Sequence, residues 1–211
     1  MRKKERAAAI TARLEELYPA AECALHYDGE PWKLMVMGRL SAQCTDLRVN
    51  EVCRTLFAEF PTARALADGE LSRIEEIVRP CGLFRTKAKD IKGECQRLCD
   101  DCGGILPDTM EELLEFPGVG RKIANLLLGD IHGKPAIVAD THCIRLARRM
   151  GLTSKDEKDP ARTEKTLREL IAPEKSNDFC HRMVMFGREY CTARSPRCDE
   201  CPLADICMKR L

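Results

Sequence analysis

Aromatic residues make up only 5% of the 211 positions, and no stretch keeps a sustained alternation of apolar and polar side chains. Strands draw on aromatic and β-branched residues in a period of two, so a fold built on sheets is not expected. The chain also lacks an excess of either charge: 35 basic against 34 acidic residues leave a net charge of +1. A protein that held nucleic acid through its overall field would be strongly basic, so any such footprint has to be a local patch. No apolar run is long enough to span a bilayer. The first residues carry no cleavable apolar leader; Met1-Arg-Lys-Lys-Glu passes into Ile10, Leu14 and Leu17, spaced as in an ordinary amphipathic helix.

What is abundant is cysteine, thirteen in all. Without a leader the expectation is a reducing cytoplasm, with most thiols buried and four used on a metal centre. The hydrophobic content of 44% is enough for one good core or two small ones. Helical spacing and helix punctuation recur along the whole chain, so the expected fold is all-α. Helices are predicted over about 2–17, stopped by Pro19; 32–42, entered through Pro31; 46–59, capped by Thr45; and 71–78. Further helices are predicted over about 86–102, 109–116, 121–132, 141–150, 161–171 and 178–191. Gly103-Gly104 reads as a C-terminal stop, and Asp108 with Glu111 as a capping box. Cys99 and Cys102 have a redox or half-zinc spacing but no second pair, so with Cys95 they read as reduced thiols along one helical face.

Two stretches carry chemistry. In Phe116-Pro117-Gly118-Val119-Gly120-Arg121-Lys122, proline ends the preceding helix while the glycines permit positive φ and a close backbone approach. A helix opens at Arg121, and its unpaired N–H groups and positive dipole end suit a phosphate. Taken alone, such a turn is most often only a joint between packed helices. The second stretch is Cys191-x6-Cys198-x2-Cys201-x5-Cys207, with Pro196 and Pro202 enforcing turns. Four thiolates so close together can wrap one metal centre. By spacing alone zinc stays open, although an all-cysteine zinc knot usually offers two C-x2-C pairs and only one is present.

From Phe116 to Asn125 the hairpin resembles the L/F-P-G-V-G-R-K-x-A-N element of the endonuclease III family of helix-hairpin-helix DNA glycosylases. The cysteine spacing is that of the same family's cluster loop, and the resemblance runs from about Trp32 to Cys207. It implies one 4Fe-4S cluster on Cys191, Cys198, Cys201 and Cys207, with Cys180 outside the set. It implies two helical domains: a six-helix domain over 23–134, and a cluster domain combining 1–22 with 135–211, the active site lying in the cleft between them. It further implies that Lys122 is the nucleophile. Ordinarily that lysine would be a solvated surface charge; attack requires a neutral amine, which desolvation and Arg121 are expected to favour.

Asp140, in Ile137-Val138-Ala139-Asp140-Thr141-His142, matches the family's second catalytic residue, a carboxylate facing the sugar; otherwise it would cap a helix. His142 reads as structural. Gln43, in Leu40-Ser41-Ala42-Gln43, matches the residue that fills the gap left by an extruded nucleotide, and Leu83, in Gly82-Leu83-Phe84, matches the wedge against the opposite strand. By themselves they would be a loop residue and a core leucine. Gly118, Val119, Gly120 and Arg121 would contact DNA through the hairpin, and Arg194 and Arg197, with Lys209 and Arg210 beyond, would form a basic rim.

The implied activity is a bifunctional glycosylase and abasic-site lyase on oxidised pyrimidines in double-stranded DNA, working as a monomer in the cytoplasm beside the nucleoid. An adenine or thymine mismatch glycosylase is disfavoured by Lys122, and a non-catalytic DNA-binding or redox-sensing protein by the presence of both Lys122 and Asp140. Phe116 and Ile123 depart from the more usual Leu and Thr of the hairpin.

Overall fold

The computed structural model describes all residues from Met1 to Leu211, and its regular elements are eleven α-helices and two 3-10 turns. The all-α expectation is met. The chain divides into two compact units, one made of residues 24–132 and the other of residues 1–23 with 133–211.

In the contiguous unit, α2 (Pro31–Leu40) is buried on nearly every side, with Leu34, Met35, Val36, Met37 and Leu40 at 1% exposure or less. Burying each such side chain stabilises the fold by about 1.5–3 kcal/mol. Its Gly38 lets α8 (Arg121–Asp130) approach, since a Cβ there would lie 3.1 Å from the Ile123 side chain. Around them stand α3 (Asp46–Glu59), α4 (Ala63–Asp68), α5 (Leu71–Val78), α6 (Phe84–Asp100) and the single turn α7 (Met110–Leu113). Trp32 of α2 meets Phe57 of α3 edge to face, their ring centroids 5.1 Å apart. Lys92 of α6 donates to the carbonyls of Ala67 and Gly69, closing the end of α4.

Three sequence expectations change here. The helix α4 was not anticipated: it is only six residues long, and its signal is Thr62, which accepts from the Ala65 N–H as an N-cap. The cap of α7 is Thr109, paired with the Glu112 N–H, one residue later than the predicted pairing of Asp108 with Glu111. That helix also stops at Leu113, before Pro117 can end it, and the chain reaches Phe116 through successive tight turns. Gly103 and Gly104 do stop α6: both have positive φ, and the Gly104 N–H returns to the Leu98 carbonyl at 2.8 Å.

In the discontinuous unit, α1 (Lys3–Leu17) packs against α10 (Pro160–Leu170) and α11 (Ser176–Glu189), and α11 packs against α9 (Thr141–Met150). The two ends of the chain are tied together where α1 finishes. The Tyr18 hydroxyl donates to Glu189 at 2.7 Å, and Arg182, 6% exposed, donates to the Tyr18 carbonyl at 3.0 Å. Burial, with Glu189 beside it, pushes the Tyr18 phenol upward, so it stays a donor.

Candidate DNA-binding hairpin, catalytic residues and cluster loop

The hairpin is shaped by what lies beneath it. Phe116 is buried, and its carbonyl accepts from the Val119 N–H at 3.1 Å, closing the turn. Gly118 has φ +73°, and a Cβ there would lie 2.6 Å from Arg39 Nε and 2.9 Å from Asp90 Oδ2. Arg39 of α2 and Asp90 of α6 are hydrogen-bonded at 2.7 Å directly under the turn. Gly93 of α6 leaves room for Pro117, whose Cγ would be 3.2 Å from a Cβ at that position. Glycine at 118 is therefore required twice, by conformation and by contact.

Gly120 is different. Its φ is −98°, outside the left-handed region, and a Cβ there would meet nothing within 4 Å. The openness at Gly120, rather than an unusual backbone, is what would let a ligand come close. It is the N-cap of α8 and supplies no capping side chain, so the first-turn N–H groups are not satisfied by one. Arg121 and Lys122 are exposed while Ile123, Ala124 and Leu127 are buried. The Val119 side chain is buried too, leaving only its backbone to face a ligand. Lys122 is thus not withdrawn from water by the chain itself, contrary to the desolvation expected from sequence, because the inward positions of the first turn fall on Ile123 and Ala124.

Gln43 and Leu83 are both exposed, and both are non-glycine residues with positive φ, 54° and 48°. Gln43 lies in the turn between α2 and α3, where the Cys44 N–H returns to the Ser41 carbonyl. Leu83 is 59% exposed and serves as the N-cap of α6, following the 3-10 turn Arg79–Cys81 and Gly82. A leucine this exposed at a strained position is not core, which removes the bland reading of it.

Asp140 is the N-cap of α9: its Oδ1 accepts from the Cys143 N–H at 2.7 Å. Its Oδ2 lies 3.5 Å from His142 Nδ1. The carboxylate therefore holds a helix end with one oxygen, and the side chain remains 16% exposed. His142 packs onto Gly187 of α11, where a Cβ would lie 2.7 Å from its ring.

The cysteine loop has no regular helix. Cys191, Cys198, Cys201 and Cys207 line one hollow with Arg149, Phe186 and Leu203, and none of the four is in a disulfide. Burial raises the thiols of Cys201 and Cys207, and the other cysteines of the set push the same way. Four thiolates converging like this need a cationic core between them, which an iron–sulfur cluster supplies, so the donor set fits that group. Around it, Arg149, 8% exposed, donates to Cys191 Sγ at 3.4 Å and to the carbonyls of Thr192 and Ala193 at 2.7 and 2.9 Å. Arg145 donates to the Cys191 carbonyl at 3.0 Å.

Gly151, with φ +79°, ends α9 and makes room for Met208 just beyond the last cysteine. Of the expected basic rim, Arg194, Arg197 and Lys209 are exposed. Arg197 is engaged with the Glu189 carbonyl and stacks on Tyr190 at 5.2 Å, and Arg210 donates to the Thr153 carbonyl. Nothing in the sequence marks Arg39, Asp90 or Arg149 as supports; Gly118 signals the turn, not what lies beneath it.

An all-helical chain with a glycine hairpin opening onto a lysine-bearing helix, and with a converged four-cysteine loop, has the features of a DNA repair protein with a helix-hairpin-helix element. Residues 36–173 match the family model described as HhH-GPD superfamily base excision DNA repair protein, and residues 191–207 match the iron-sulfur binding domain of endonuclease III. Endonuclease III of Synechocystis sp. is 45% identical over 97% of this chain and 93% of its own length; that of Bacillus subtilis is 39% identical over 92% and 88%. Among solved structures, a non-covalent endonuclease III–DNA complex superposes with a TM-score of 0.93 at 37% identity, covering 100% of this chain and 97% of the other. A trapped endonuclease III–DNA covalent intermediate superposes with a TM-score of 0.92, also at 37% identity, over 100% and 98%. The chain belongs to the HhH-GPD superfamily of base excision DNA repair proteins and, within it, to the endonuclease III family.

Proposed function

We propose that this protein is a bifunctional DNA glycosylase and abasic-site lyase of base excision repair, acting on oxidised pyrimidines in double-stranded DNA. The observation that carries it is Lys122, exposed on the first turn after the hairpin, in a chain 37% identical over its whole length to an endonuclease III trapped covalently on DNA. The Lys122 amine attacks C1′ of the damaged nucleotide, and the glycosidic bond breaks with its electrons leaving on the base. The sugar ring opens to a Schiff base on Lys122. Loss of a C2′ proton then expels the 3′ phosphate by β-elimination, and hydrolysis frees the lysine. Since the free chain leaves Lys122 in water, the bound DNA has to supply its desolvation.

Asp140 stabilises positive charge developing on the sugar as the base departs. Gln43 and Leu83 fill the stack and the opposite strand while the nucleotide is extruded. Gly118, Val119, Gly120 and Arg121 bind backbone phosphate through the hairpin, and Arg194 and Arg197 add contacts from the cysteine loop. Cys191, Cys198, Cys201 and Cys207 hold a cluster of 4Fe-4S type, which fixes that loop. No helix is long and apolar enough to cross a membrane. The protein acts as a monomer, in the cytoplasm beside the nucleoid.

The test is borohydride trapping on duplex DNA bearing one dihydrouracil or thymine glycol, with Lys122→Ala beside the wild type. A covalent adduct from the wild type alone is expected, with strand cutting down by about 10⁴-fold or more in the variant. Base release without an adduct would exclude the lysine mechanism and leave a monofunctional glycosylase.

A further inference from the structure

Lys87 of α6 has a fully buried side chain, 0% exposed, and no carboxylate among its hydrogen-bond partners. Its Nζ donates to three backbone carbonyls: Leu40 at 2.8 Å, Ala42 at 2.7 Å and Cys81 at 2.8 Å. An ammonium has three protons, so the group is fully satisfied. Leu40 and Ala42 lie where α2 ends, and the last carbonyls of a helix lack intrahelical partners and carry its negative dipole end. Cys81 closes the 3-10 turn on the other side.

These carbonyls belong to two separate loops. Ala42 immediately precedes Gln43, and Cys81 stands two residues before Leu83. Both of those residues hold positive φ without being glycine. Such a backbone is strained for any residue with a Cβ and persists only where its surroundings fix it. Cys44, the residue after Gln43, lies close enough to add to the burial that raises the Cys81 thiol. Desolvation lowers the Lys87 ammonium from its ordinary value, and the two thiols beside it oppose that shift.

We propose that Lys87 is a positioning residue, which locks the Gln43 and Leu83 loops to one another so that both enter a DNA duplex as a single preformed wedge. The proposal rests on the reading of Gln43 and Leu83 as inserting residues. It separates Lys87 from ordinary structural support, because a wedge matters only where there is a stack to open and an opposite strand to hold.

The experiment compares Lys87→Met with the wild type on an abasic site in duplex DNA and on the same site in single-stranded DNA. Lys87→Met is expected to slow strand cutting in the duplex by about 10–100-fold while changing the single-stranded rate less than about twofold, with the visible absorption of the cluster retained. In a Gln43→Ala/Leu83→Ala background, Lys87→Met is expected to add little, because its effect passes through those side chains. Fluorescence of 2-aminopurine placed opposite the abasic site should rise on binding the wild type and stay low with Lys87→Met. Equal losses on both substrates, or no loss on either, would overturn the proposal. A duplex-specific loss in Gln43→Ala/Leu83→Ala with none in Lys87→Met sinks Lys87 alone. No duplex-specific loss in Gln43→Ala/Leu83→Ala sinks the inserting role of the loops, and Lys87's role with it. Should Lys87→Met not fold, Lys87→Gln, which keeps two N–H donors, carries the same comparison.

Discussion

Between Phe116 and Lys122 the chain holds its own turn: a main-chain bond closes it, glycine fits it over the Arg39–Asp90 pair, and Gly93 leaves a seat for Pro117. Between Cys191 and Cys207 there is no helix and little apolar packing beyond Leu203; four thiols converge instead, with Arg149 and Arg145 bound to the carbonyls at the start of the loop. One region is ordered by the polypeptide and the other by what its side chains can bind. The difference divides how each should respond when a single group is removed.

The largest effect belongs to the cluster loop. Cys198→Ala should abolish the visible absorption, lower bound iron and sulfide together, and destabilise the discontinuous unit by several kcal/mol, on the scale of a site whose metal binding is part of its folding free energy. Limited proteolysis should then cut within residues 191–207, while the helices around the hairpin keep their protection. A variant loop as resistant as the wild type would show that Arg149 and Arg145 suffice to order it and would break the comparison. Zinc without iron in the wild type would replace the cluster with a different ion.

Asp140 tests the two roles of one carboxylate. Asparagine caps a helix about as well as aspartate, so Asp140→Asn should leave the melting temperature nearly unchanged while lowering base release by about 10²–10³-fold. Asp140→Ala should lose the same activity and cost about 1 kcal/mol of stability as well, because the Cys143 N–H then lacks its acceptor. Full turnover by Asp140→Asn, measured as base release from thymine glycol duplexes, would reduce Asp140 to a cap.

How legible this was in the sequence depends on distance along the chain. Helices with strong caps or proline at the entrance were readable to within a residue or two, as with Thr45 before α3 and Asp140 before α9, because their signals are local. Helix α4 was missed because six residues give no period to read. The cap of α7 was placed one residue early because Asp108 and Thr109 are adjacent capping residues, and its stop at Leu113 was missed because Pro117 offered a later one. At the site, the residues matching a motif were nameable, but their supports were not. Arg39 and Asp90 meet under the hairpin from positions 51 residues apart, and nothing in their own neighbourhood marks them; Lys87 follows the Leu83 loop directly, but its bonds to Leu40 and Ala42, 47 and 45 residues away, cannot be read from it. The exposure of Lys122 was misjudged for a local reason: helix phase puts Ile123 and Ala124 inward, and the lysine faces outward.

The smallest effect concerns a buried acid that the hairpin's support does not use. Glu94 of α6 is fully buried, and neither carboxylate oxygen has a hydrogen-bond partner. Desolvation raises it well above its ordinary 4.5; Arg39 opposes that shift and Asp90 adds to it. Below about pH 4.5 folded and unfolded chains both carry the proton, so ionisation of Glu94 costs nothing there. As pH rises, the unfolded chain ionises while the folded chain has to keep the acid neutral, and stability is lost until the folded group titrates. The gain from Glu94→Met should therefore be larger at pH 7 than at pH 4, by about 1–3 kcal/mol, with a slope of at most about 1.4 kcal/mol per pH unit between. Urea unfolding at a series of pH values measures it. A gain independent of pH would mean that packing, not ionisation, is what Glu94 costs. A loss at pH 7 would place Glu94 among the groups that hold Arg39 under Gly118, and would extend the hairpin's self-made support by one more residue.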